Sequence, residues 1–159
     1  MAEKKKEKRE YLVLTSGKMW QPYNWYVGEY WTKFFDGFKE KKFLGTKCPK
    51  CGVVYALPRQ VCGRCFVKMD EWVELGPEGV ITAFTVVKFP YIDPNTGEIR
   101  KPLPFTTASI KLDGADTTLW HYLNETDESK IKVGKRVRIV WQEERKGNIH
   151  DIKYFELLD

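Results

Sequence analysis

Four cysteines stand in two tight pairs, Cys48-Pro-Lys-Cys51-Gly and Cys62-Gly-Arg-Cys65, and the chain has no others. A Cys-x-x-Cys turn aims two sulfurs at one point. Two such turns ten residues apart have the spacing of a zinc ribbon. Cys48, Cys51, Cys62 and Cys65 would then fill a tetrahedral site with thiolates and leave no position for substrate, so the metal is expected to be structural zinc. Gly52 and Gly63 are expected to let the backbone fold close to the ion. Two other chemistries use the same residues: a pair of disulfides, or a rubredoxin-type iron. No secretion signal precedes them, which argues against disulfides.

With all four thiols on metal, no cysteine nucleophile is left. His121 and His150 are the two histidines, and neither sits in a ligand or triad motif. Each reads as a strand residue. Neither a phosphate-cradling glycine loop nor a G-x-S-x-G elbow occurs. No apolar run reaches the length of a membrane span. The start, Met1 to Glu10, clusters Lys4, Lys5, Lys6, Lys8 and Arg9 with Glu3, Glu7 and Glu10, and reads as a solvated tip of a cytoplasmic protein. The net charge of +5 sits in the first part of the chain. Residues 73–159 hold 12 Lys and Arg against 14 Asp and Glu, the wrong balance for a nucleic-acid groove.

These residues need elements to hold them. Residues 1–21 read as a basic, disordered or extended N-terminus. Residues 22–45 read as an aromatic helical segment, with Asn24 as cap and Trp31, Phe34, Phe35 and Phe38 at helical spacing. From Trp20 to Phe43 the chain places 10 of its 23 aromatic residues. One helix cannot bury them all, so Trp25, Tyr26, Trp31 and Phe35 are expected to dock another protein. The zinc ribbon is assigned residues 46–72. In 73–159 the period changes to two. Five strands are expected over 80–89, 105–112, 117–123, 135–143 and 149–157, with a short helix over 125–131. That pattern fits a Greek-key barrel of OB type. The expected fold is mainly β: helix, ribbon, barrel. Between the first two strands runs a long loop with four prolines, Pro90 to Pro104, carrying Tyr91, Ile92, Arg100, Lys101 and Leu103. It reads as a binding element.

The ordered set of motifs resembles the DUF35 family. Tyr30-Trp31, Phe38, Phe43-Leu44 and Lys47-Cys48 lead into the ribbon. Cys48-Pro-Lys-Cys51-Gly, Pro58-Arg59, Cys62, Cys65, Trp72 and Gly79 follow, and Lys132-Val-Gly-Lys-Arg-Val137 is similar to the turn before the fourth strand. The resemblance spans about residues 22–157. It implies a rubredoxin-like ribbon joined to an OB-fold in a non-catalytic accessory subunit of a hetero-oligomer. The subunit would scaffold a CoA-dependent thiolase and help shape its acyl-CoA site, while the catalytic groups belong to the thiolase. Family members include subunits of acetoacetyl-CoA thiolase complexes and of the benzoylsuccinyl-CoA thiolase of toluene degradation. On this reading Lys88, Arg100 and Lys101 would meet CoA phosphates, and Phe89, Tyr91, Leu103 and Phe105 would wall the pantetheine arm. The alternative is a ribbon–OB protein that binds single-stranded nucleic acid.

Overall fold

The computed structural model describes residues 26–92, 97–99 and 102–158. Helix α1, Gly28–Lys39, is followed by strands β1 (Phe43–Lys47), β2 (Val54–Tyr55) and β3 (Glu71–Leu75) of the ribbon. The barrel strands are β4 (Glu78–Val87), β5 (Phe105–Leu112), β6 (Leu119–Leu123), β7 (Arg136–Trp141) and β8 (Ile152–Leu157). The helix begins later than its aromatic spacing suggests, with Val27 rather than Asn24 at the cap position. Asn24 lies outside the described residues, as do Trp20, Tyr23 and Trp25. Lys41 at φ 60 ends the helix, with Lys42 N–H bonded to Gly37 C=O at 2.9 Å and Lys41 N–H to Phe38 C=O at 3.0 Å. This is a Schellman motif with lysine where glycine is usual.

The ribbon sheet has the order β2-β1-β3, all antiparallel. Gly45 lies in its central strand, where an added Cβ would stand 2.6 Å from the Tyr55 carbonyl oxygen and 2.7 Å from Leu75 Cδ1. The barrel closes in the order β4-β5-β6-β8-β7, with β7 returning to β4. The 125–131 segment is not a helix. Glu125 accepts the N–H groups of Thr126 and Asp127, and Asp127 accepts those of Ser129, so carboxylates hold a run of tight turns instead. The expected last strand also divides. Ile149–Asp151 is a 3₁₀ turn, because Asp151 accepts the N–H groups of Lys146, Gly147 and Asn148 while Asn148 Oδ1 accepts that of His150.

One apolar core joins all three parts. Phe34, Phe38 and Phe43 from α1 and β1, Ala56 and Leu75 from the ribbon, and Ile81, Ile110, Val137 and Phe155 from the barrel form a single buried cluster. Phe38 sits at its centre, 4.7 Å from the Phe34 ring and 5.2 Å from Trp141. β3 crosses the expected 72/73 boundary; it pairs only with β1 of the ribbon, and its Leu75 joins the common core. Among the described residues no helix is long and apolar enough to cross a membrane.

Candidate metal centre and binding face

The two cysteine turns fold as matching knuckles. In the first, Cys48 N–H bonds to Val53 C=O at 2.9 Å and Gly52 N–H to Cys48 C=O at 3.0 Å. In the second, Cys62 N–H bonds to Val67 C=O at 3.0 Å and Phe66 N–H to Cys62 C=O at 2.9 Å. Each needs a left-handed residue at the same place, Gly52 at φ 74 and Phe66 at φ 54. The expectation for Gly63 is therefore corrected: its φ is not positive, and Phe66 takes the strained position. An added Cβ on Gly63 would meet only ordinary contacts, 3.5 Å from the Tyr55 hydroxyl. Phe66 is also 82% exposed.

The four sulfurs lie within 4.8 Å of one another. Cys51 and Cys62 Sγ are 3.8 Å apart. That equals the edge, about 3.8 Å, of a tetrahedron with Zn–S bonds of about 2.3 Å. Lys50 and Cys51 N–H groups point at Cys48 Sγ from 3.4 and 3.5 Å. Cys62 is buried, which opposes ionisation, but the amides of Arg64 and Cys65 win and draw its thiol down to about 6. Cys65, sharing hydrogen bonds with Cys51 and Cys48, is pushed up to about 12. Sulfurs this close cannot all ionise without a cation among them. The donor set, four converging thiolates served by amide N–H groups, fits structural zinc. The Tyr55 hydroxyl lies 3.8 Å from Cys62 Sγ and donates to it once the sulfur is a thiolate.

Of the four aromatic residues expected to dock a partner, Tyr26, Trp31 and Phe35 lie among the described residues. Trp31 and Phe35 pack against the core, with rings 5.5 and 5.4 Å from Phe34. Tyr26 is 78% exposed, and Trp25 lies outside the described residues. Tyr30 and Lys33 tie the helix to the ribbon. The Tyr30 hydroxyl donates to the Met69 carbonyl at 3.0 Å, and Lys33 lies 4.6 Å from the Trp72 ring centroid.

Of the residues expected to meet CoA, Arg100 and Lys101 lie outside the described residues. Lys88 is in an ion pair with Glu128 at 2.9 Å. Phe89 is 70% exposed, and Leu103 is half-buried. Tyr91, Phe105 and Tyr122 form a row of rings, 6.2 and 6.0 Å apart, leading from the loop onto β6. Ile92 and Ile99 pair across the loop and are both exposed.

The row ends at a hollow of about 460 Å³ lined by Thr107, Trp120, Tyr122, Gln142, Ile149 and Lys153, together with His121 and His150. These strands and flanking loops are the ligand face of OB barrels. Burial pushes His121 down to about 4 against a hydrogen bond to the Ile149 backbone, so the imidazole is neutral at physiological pH. Its Nδ1 is buried without a hydrogen-bond partner. The hollow went unread in the sequence. The available signal was Leu119-Trp-His-Tyr-Leu123, whose period of two puts Trp120 and Tyr122 on the outer face.

Comparison with known proteins agrees with this architecture. A family model described as the ChsH2 rubredoxin-like zinc ribbon domain matches residues 35–70, and another, the ChsH2 C-terminal OB-fold domain, matches 72–142. A protein of Methanocaldococcus jannaschii named "DUF35 domain-containing scaffold protein" is 27% identical over 101 residues, covering 62% of this chain and 67% of the relative. One of the same name from Methanothermobacter thermautotrophicus is 28% identical over 103 residues, covering 64% and 72%. The solved structure titled "Ltp2-ChsH2(DUF35) aldolase" superposes with a TM-score of 0.58 at 20% identity, over 79% of this chain and 91% of that one. At that identity the likeness speaks for the fold. A DUF35 protein of unknown function from Sulfolobus solfataricus gives a TM-score of 0.55 at 26% identity, over 79% and 81%.

Proposed function

Because this chain belongs to the DUF35 family, with its zinc ribbon and OB-fold of ChsH2 type, we propose that it is a non-catalytic accessory subunit of a CoA-dependent thiolase. It scaffolds the complex and helps shape the acyl-CoA site. The observation that carries this reading is a division of labour within the fold. All four thiols converge on one metal centre, while exposed Phe89, Ile92, Ile99, Trp120 and Ile149 gather on the loop and the OB face. A partner enzyme would supply the nucleophile, and this face would meet it or wall its pantetheine channel. The names of the archaeal relatives support a scaffold role. The aromatic character of the face supports an acyl-CoA from aromatic-compound degradation, of the benzoylsuccinyl-CoA type. The single-strand reading has less support, since Lys88 on this face is already paired with a carboxylate.

The test is reconstitution. The chain and a thiolase subunit are purified separately, and acyl-CoA cleavage is measured for each alone and for the mixture. Activity is expected from the mixture and not from this chain alone. Turnover by the isolated chain, or a thiolase indifferent to its presence, overturns the proposal.

A further inference from the structure

The barrel is closed unevenly. β6 and β8 are joined by one residue pair, Leu123 and Phe155. Along β6, alternate residues turn their N–H and C=O groups toward β5 and away from it. Asn124 N–H bonds to Phe155 C=O at 2.9 Å, so the even-numbered residues face β8. Trp120 lies on that side, past the last paired residue. Among the described residues Trp120 pairs with no strand but β5, where it stands opposite Ser109, and the one β6–β8 pair lies three residues further on. Across from it the chain turns into the 3₁₀ segment Ile149–Asp151 instead of extending β8. The hollow fills the space between them.

Resting on the accessory-subunit reading, we infer that this open seam is where the partner enzyme docks, by laying a short extended segment along the free edge of β6. The segment pairs with Trp120 through its main chain, the mode by which sheet edges bind peptides. It places one bulky apolar side chain in the hollow, against Trp120 and Ile149. These are 59% and 42% exposed and give that side chain an apolar wall. A residue beside the anchor is acidic. Lys153 is exposed at the rim and makes no ion pair among the described residues, and Glu143 and Glu144 in the adjoining hollow do not bridge to it.

The experiment is amide hydrogen exchange on the full zinc-loaded chain, alone and in complex with its thiolase subunit. The 117–123 segment is followed by mass spectrometry. In the chain alone the Trp120 amide exchanges early. In the complex it slows about tenfold or more. Ile149→Asp weakens the complex by about thirtyfold, the size of a hot-spot loss, while zinc content and melting point hold. If that variant melts early, Lys153→Glu, altered at an exposed site, carries the test and must also weaken the complex. Parent affinity in the intact variants with no change at Trp120 overturns the seam and leaves the accessory role standing. Protection of Trp120 in the free chain that disappears on removing residues 1–21 overturns it too, because the chain's own N-terminus then fills the seam. Failure to form any complex with a thiolase overturns both readings together.

Discussion

Phe38→Ala probes whether metal ribbon and barrel stand or fall together. Phe38 is completely buried, with the rings of Phe34, Phe35, Phe43 and Trp141 between 4.7 and 5.7 Å away. Core Phe→Ala changes cost about 3–5 kcal/mol. Loss of several edge-to-face contacts puts this one near the top, at about 4–5 kcal/mol. Set against a total stability of about 5–15 kcal/mol, that is a large share. A chain of this length should lose roughly 8–20 °C in melting temperature. The assay is urea unfolding read by two probes, tryptophan fluorescence and zinc release to a chromogenic chelator. Both midpoints should fall, and by the same amount, because Phe38 packs on the β1 core residue Phe43 and on Trp141 of the barrel. Phe66→Ala, at the most exposed aromatic of the ribbon, is the control and should shift neither by more than about 0.5 kcal/mol. Fluorescence moving while zinc release stays put would refute the single-core argument.

Cys62→Ser should strip the metal, reducing zinc by elemental analysis from about one per chain to well below half, and should lower the melting point. His121 is held neutral, with its folded value near 4 below its ordinary 6.5, so the unfolded chain binds more protons between those limits. Stability should therefore fall as pH drops from about 6.5 to 4, and His121→Phe should flatten that slope in pH-dependent melting curves. Gly45→Ala should destabilise by about 2 kcal/mol or more in urea titration, since its Cβ meets the Tyr55 backbone oxygen and Leu75 at 2.6 and 2.7 Å. Phe89→Ser should weaken partner affinity in titration calorimetry and leave the melting temperature unchanged, because the side chain is 70% exposed.

The parts legible in the sequence were those governed by local chemistry. Cysteine spacing announced the ribbon, and the period of two located the five barrel strands to within a few residues. Other features depended on competition that spacing does not record. The 125–131 run has the composition of a helix, but Glu125 and Asp127 capture nearby amides. Asn148 and Asp151, four residues spanning a capping box, convert the expected start of β8 into a 3₁₀ turn. Trp31 and Phe35 pack on Phe34 and Phe38, whose own cover is Phe43 of β1 and Trp141 of β7; helical spacing does not announce that cover, and Trp141 lies far along the chain. The hollow beside Trp120 arises from the single-pair closure of β6 on β8, a property of barrel geometry that no stretch of residues carries.

The shared core bears on how such a protein can change over generations. Ribbon and barrel match separate family descriptions, yet β3 runs from Glu71 to Leu75 across their junction, and Leu75 is buried with barrel side chains. A ribbon transplanted from a distant relative would bring its own residues at the Phe43 and Leu75 positions, unmatched to Phe38 and to barrel residues such as Ile81 and Ile110. Recombination at the junction should thus yield insoluble chimeras unless α1 and β1 travel with their own barrel. The two halves are expected to be inherited as a block, with partner preference drifting in the loop and the outer face, where Phe89 and Trp120 touch little of the core.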